Sequence, residues 1–158
     1  MKILKITILC LVALTAAPVF AQDKATDTNM QILLDKVKAD KKLVVAANMD
    51  LSEAEAKGFW PLYDDYQKEL QALNDRLGKA ILAYADAYNN KTLTDAQATQ
   101  LTGEALAIDQ DEITLRKTYA VKLGHVIPAK KVARYLQIEN KIRAAIRYDL
   151  AAGIPLVP

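Results

Sequence analysis

Apolar residues recur at every third or fourth position over most of this chain, and the pattern resolves into four helices. Met30, Leu33, Leu34, Val37, Val44 and Val45 predict a first helix ending near Ala47, with a heavily charged middle from Lys36 to Lys42. Asn48 and Met49 are then expected to turn the chain. A second helix opens at Glu53 and carries the most regular stripe: Tyr63, Tyr66, Leu70, Leu73, Leu77, Ile81, Tyr84 and Tyr88. Spacings that alternate between three and four mark a long helix packed along its length. Pro61 lies inside it, where proline removes a backbone hydrogen bond and restricts the residue before it. A kink is expected there, or a short helix Glu53–Phe59 followed by a fresh start. Asn89-Asn90-Lys91-Thr92 reads as a turn. A third helix runs from Asp95 to about Gly124, with the stripe Ala98, Leu101, Ala105, Ile108, Glu112, Leu115 and Tyr119, and His125 at its end. Pro128 suits the first turn of a fourth helix. Its stripe is Val132, Tyr135 or Leu136, Glu139, Ile142 and Ile146, and Gly153 and Pro155 stop it. No strand-like alternation interrupts this plan. The expected fold is all-α: a four-helix, hairpin-built elongated bundle, forming one domain over residues 30–158.

Two pentads organise the plan. Leu51-Ser52-Glu53-Ala54-Glu55 and Leu93-Thr94-Asp95-Ala96-Gln97 share one pattern: apolar, hydroxyl, acid, Ala, then Glu or Gln. That spacing makes a capping box. The hydroxyl of Ser52 or Thr94 accepts from the backbone N–H three residues on, and Glu55 or Gln97 reaches back to the cap's own N–H. Asp50, Glu53 and Asp95 add negative charge where the helix dipole is positive.

Composition changes the picture at the N-terminus. Lys2 and Lys5 precede an apolar run from Ile6 to Phe20, and Val19-Phe20-Ala21 leads into Gln22. This is the pattern of a secretory signal peptide over residues 1–21, cleaved after Ala21. The run is too short for a comfortable membrane span. Residues 22–29 are polar and expected to be disordered. The chain has 21 bases and 19 acids in all; without Lys2 and Lys5, 19 bases face 19 acids. Cys10, the single cysteine, falls in the discarded segment. An exported protein of this kind has no disulfide, so its stability must come from helix packing.

Charge is unevenly distributed. Asp50, Glu53, Glu55, Asp64, Asp65, Glu69 and Asp75 outnumber Lys57 and Lys68, and Asp95 to Glu112 carries acids and no base. The fourth helix reverses the sign: Lys130, Lys131, Arg134, Lys141, Arg143 and Arg147 face only Glu139 and Asp149. Either this helix packs on the others by complementary charge or it offers a basic face to a partner. Glu112 and Glu139 stand on apolar stripes, each with an arginine four residues on, Arg116 and Arg143. They are either buried and paired, fixing helix register, or edge residues reaching water. Tyrosines on the stripes are either ordinary core with hydroxyls at its edge or part of a shallow amphipathic surface.

Chemistry is sparse. Ser52 is the only serine and His125 the only histidine. The first is explained as a cap and the second as a helix end. There is no Glu-x-x-His pair, no Cys-x-x-Cys-His and no glycine-rich phosphate loop. A metal site would have to draw on His125, Met30, Met49 and scattered carboxylates, without a histidine pair at i,i+4. The expectation is a protein that is not an enzyme, with no cofactor and no metal site. Export and zero net charge argue against nucleic acid as a partner.

The two pentads resemble the motif of the Spy/CpxP-like, LTXXQ-motif periplasmic proteins. The match is clean at Leu93 to Gln97, while Ser and Glu replace Thr and Gln at Leu51 to Glu55. The likeness covers roughly Asp50 to Leu150 as architecture. It implies a periplasmic helical protein, an antiparallel cradle-like homodimer with coiled-coil character. Its members act as ATP-independent chaperones or in envelope stress. On that basis the expected function is a non-enzymatic chaperone or stress-response protein holding unfolded or partner proteins, without stable membrane insertion after signal cleavage. The alternative is a dedicated modulator of an envelope sensor, and a third reading is a metal-responsive protein. The expected partner surface is Trp60, Lys130, Lys131, Arg134, Tyr135, Arg143 and Arg147.

Overall fold

A computed structural model describes residues 40–158. The signal-peptide and disordered-segment expectations, and the start of the first helix, lie outside the described residues. Among the described residues the protein is all-α, with four helical segments and no strand. They are α1 (residues 40–49), α2 (Glu53–Asn89), α3 (Asp95–Gly124) and α4 (Ala129–Gly153). No described helix is long and apolar enough to cross a membrane.

Both pentads form complete capping boxes. Ser52 Oγ accepts from the Glu55 backbone N–H at 3.3 Å, and Glu55 Oε2 accepts from the Ser52 N–H at 2.7 Å. At Thr94 the paired distances to Gln97 are 3.3 and 3.0 Å. Each box satisfies two donors that a helix start leaves free. Chain reversals follow directly. α1 and α2 are antiparallel, linked at Asp50, which takes a positive φ of 46°. α2 and α3 form an antiparallel hairpin whose turn holds Lys91 at φ 55°. α4 returns antiparallel to α3 and therefore parallel to α2.

Two local expectations are corrected and one choice between alternatives is settled. α1 does not end at Ala47: Asn48 and Met49 remain helical. Asn48 Nδ2 donates to Val44 O at 2.8 Å and Met49 is buried in the core, so burial carries the helix further than its polar residue suggests. At Pro61 the second of the two alternatives, a short helix followed by a fresh start, does not occur. α2 runs unbroken through it, because Pro61 and Lys57 lie on the exposed side, where water serves the carbonyl that proline leaves without a donor. Ile146, placed on the core stripe of α4, is 45% exposed.

That last difference reflects where the core sits. Val45, Met49, Phe59, Tyr63, Tyr66, Leu70, Leu115, Tyr119, Leu123, Ile127, Val132 and Tyr135 form one buried cluster. It occupies the end of the bundle where α1, the first half of α2, the second half of α3 and the start of α4 meet. Further along, Leu73, Leu77, Ile81, Tyr84 and Tyr88 are only half-buried. Beyond the end of α4 the C-terminal segment meets α2, where the Tyr84 hydroxyl donates to Pro155 O at 3.0 Å.

Candidate interaction surface

Tyr135 is the centre of the α2–α4 contact. Its ring packs edge-on against Phe59 at 5.2 Å and against Tyr63 and Tyr66, each at 6.0 Å between centroids. Such edge-to-face pairs contribute about 0.5–1.5 kcal/mol each beyond the area they bury. Tyr135 is therefore core, fully buried, and is not part of a partner surface as expected from sequence. Trp60 is half-buried and packs edge-on against Phe59 and Tyr63, with the Lys42 ammonium 5.3 Å from its ring.

The two acids on apolar stripes are both buried and both paired. Their partners come from other helices, not from four residues on. Glu112 on α3 pairs with Arg143 of α4, and Arg147 approaches it at 3.9 Å. Asp109, one turn earlier, pairs with Arg147. Antiparallel packing sets Glu112 beside Arg143, whereas Arg116, on its own helix, is not its partner. Glu139 on α4 pairs with Lys41 of α1 and accepts from Gln67 Nε2 of α2 at 3.0 Å. Gln67 also accepts from Lys41 at 2.9 Å and donates to the Tyr135 hydroxyl at 3.3 Å. Among the described residues no buried side-chain polar atom lacks a partner, as buried polar networks require.

These networks shift proton affinities. Burial, followed by the charge of Glu139, raises the phenols of Tyr63, Tyr66 and Tyr135 above their ordinary range. Burial and the hydrogen bond to Glu69 at 2.6 Å do the same for Tyr119. Glu55 is held below the usual carboxylate range by its hydrogen bond to Lys131 and then by the Ser52 N–H.

Most of the basic set is thus spent inside the molecule. Lys131 donates to Asp50 O and pairs with Glu55, each at 2.6 Å, fastening α4 to the α1–α2 link. Arg143 and Arg147 are held by α3. Complementary packing of α4 accounts for these three. Lys130 and Arg134 are exposed and, among the described residues, make no ion pair.

The free apolar surface lies elsewhere. On the outer side of α3, Leu106 and Val121 are each 64% exposed and Ile113 is 41% exposed. Ile113, Arg116, Lys117 and Ala120 of α3 and Leu136, Gln137 and Asn140 of α4 line an open groove of about 440 Å³. From Thr99 to Ala120 the positions sharing this side of α3 by helical spacing (Thr99, Thr102, Leu106, Gln110, Ile113, Lys117, Ala120) carry no acid; Asp95, at the start of the helix, is the one acid in line with them. The dominant periodicity of α3 marks its inward stripe; the outer face is signalled only by the seven-residue spacing from Leu106 to Ile113 to Ala120. Among the described residues no group of three or more His, Cys, Asp or Glu is arranged to hold a metal ion. No protein-family model, curated protein or solved structure matches the chain.

Proposed function

We propose that this is a non-enzymatic periplasmic protein, an ATP-independent chaperone or envelope-stress-response protein, that holds unfolded chains on the outer side of α3 and α4. The observation supporting this reading is the row of exposed aliphatic side chains Leu106, Ile113 and Val121 beside a groove whose only charges are Arg116 and Lys117. Apolar area with few charges favours many different unfolded segments, since it asks for burial and little geometry. Basic side chains at the rim speed encounters with acidic clients.

The test follows light scattering of a chemically unfolded enzyme without ATP. Suppression near stoichiometric ratio is expected, and the triple variant Leu106→Asp, Ile113→Asp, Val121→Asp should lose most of it with its melting temperature kept. Failure of the unsubstituted protein to suppress aggregation of several unrelated clients overturns the chaperone reading. The dedicated modulator of an envelope sensor then takes its place, and a reproducible single partner in a pull-down from envelope extract is its signature.

A further inference from the structure

Charge is separated along the folded chain. Asp40 to Glu112 holds fourteen acids and seven bases, whereas Ile113 to Tyr148 holds nine bases and a single acid, Glu139. That acid is buried and paired with Lys41. Of the nine bases, Lys131, Arg143 and Arg147 are spent on other helices, and Lys122 lies over the Tyr119 ring at 4.1 Å. Arg116, Lys117, Lys130, Arg134 and Lys141 remain. Among the described residues none of these five makes an ion pair.

The five stand on one side of the molecule. Arg116 and Lys117 line the open groove from α3, and Gln137 lines it from α4. Lys130, Arg134, Gln137 and Lys141 recur at steps of four, three and four, so the three bases share the Gln137 side of α4. Tyr148 continues that row and is 76% exposed. Leu106, Ile113 and Val121 project beside it from α3. Asp109, at the seam between the helices, is held by Arg147, and Asp95 stands at the far end of α3. Bases and apolar side chains therefore lie side by side over about 22 Å, the rise from Leu106 to Val121. Such a face suits a partner of one sign with an apolar layer beneath it. An anionic bilayer has both. Its phosphates only accept hydrogen bonds and the bases only donate them, while aliphatic side chains and the Tyr148 ring reach the acyl boundary. An acidic protein carries cations among its carboxylates, and this stretch offers no free acid to receive them.

We propose that the outer face of α3 and α4 is a peripheral docking surface for an anionic phospholipid bilayer. Binding is reversible and leaves every helix in place. The charge separation orients the molecule, since its acidic remainder turns away from a negative surface. Each base near such a surface is worth about fivefold in partitioning. This goes beyond the chaperone reading and does not rest on it: the bases of α4 carry it, and they lie outside the aliphatic row Leu106, Ile113 and Val121.

The test uses the chain from Gln22 to Pro158, so that the apolar run of residues 6–20 cannot itself take up lipid; the whole core cluster, Val45 to Tyr135, is retained. Vesicles of phosphatidylglycerol and phosphatidylcholine in equal parts should sediment the protein, pure phosphatidylcholine vesicles should not, and salt should weaken the binding. The variant Lys130→Gln, Arg134→Gln, Lys141→Gln, with its melting temperature unchanged, should lose about tenfold or more of that binding. Lys57→Gln, Lys68→Gln, Lys79→Gln removes the same charge from exposed positions on α2 and should bind nearly as the unsubstituted protein does. No uptake by the anionic vesicles, uptake indifferent to headgroup charge, or an equal loss in the α2 variant overturns the proposal. So does another occupant: polyglutamate held by the α4 bases, or self-association abolished in the α4 variant, either without vesicle binding, assigns the face to an acidic protein or to a second copy. Client aggregation is not measured here, so failure to bind vesicles leaves the chaperone reading standing.

Discussion

Lys41 Nζ lies 2.7 Å from Glu139 Oε2, an ion pair between α1 and α4 in which only 4% of the glutamate side chain meets solvent. Desolvating two charges offsets much of their attraction, so the pair adds little net stability. Its effect is on register. It fixes which turn of α1 rests on which turn of α4.

Breaking the pair on one side should therefore be far worse than removing it. Glu139→Leu leaves an ammonium whose side chain is only 12% exposed without its partner and should cost ~3 kcal/mol. Lys41→Met combined with Glu139→Leu should recover most of that loss. Urea unfolding of both single variants and the double gives the coupling directly. Additive effects would show that the two charges do not depend on each other.

The capping boxes make a local prediction. Ser52→Ala and Thr94→Ala should each cost ~1 kcal/mol. Glu55→Ala should cost more than Gln97→Ala, because Glu55 also holds Lys131. Chemical denaturation midpoints separate the two. Equal losses would mean that Lys131 adds nothing to that corner.

Two glycines should respond in opposite ways. A Cβ at Gly78 meets nothing within 4 Å, so Gly78→Ala should stabilise α2 by ~0.8 kcal/mol through helix propensity alone. A Cβ at Gly58 falls 3.0 Å from Val126 Cβ in the α3–α4 link. There the same substitution forces the link outward, and no gain in melting temperature is expected.

The raised phenols predict an alkaline limit. Unfolded tyrosines ionise near pH ~10, whereas Tyr63, Tyr66, Tyr119 and Tyr135 keep their protons longer when folded. The unfolded state then releases protons first. Their stabilising contribution is complete below pH ~10 and is lost as pH rises further. Phenolate absorbance of these residues should appear together with loss of helical circular dichroism. At the other end the sign reverses. Glu55, held low by Lys131 and Ser52, stabilises above its unfolded pKa, and that contribution disappears as pH falls through the folded value. Glu55→Gln should flatten that part of the acid transition.

Much of the architecture was legible because it is written locally. The three-and-four spacing set the helices, and Ser52–Glu55 and Thr94–Gln97 placed the starts of α2 and α3, since a capping box involves only neighbours along the chain. His125 and Pro128 likewise marked where α3 ends and α4 begins. The candidate surface was less legible. The run of bases on α4 was plain in the sequence, but whether Arg143 and Arg147 meet solvent or Glu112 and Asp109 depends on which helix lies opposite.

By itself the sequence determined the all-α class, the caps, and the faces of α2, α3 and α4 that turn inward, all properties of hydrogen bonds and periodicities within a few residues. Only the tertiary structure decided that Tyr135 is core, that Glu139 belongs to Lys41, that α2 passes through Pro61, and that Leu106, Ile113 and Val121 remain uncovered. Periodicity says that a side chain faces a neighbour. The identity of that neighbour, and whether one is present, depends on the lengths and angles at which whole helices pack.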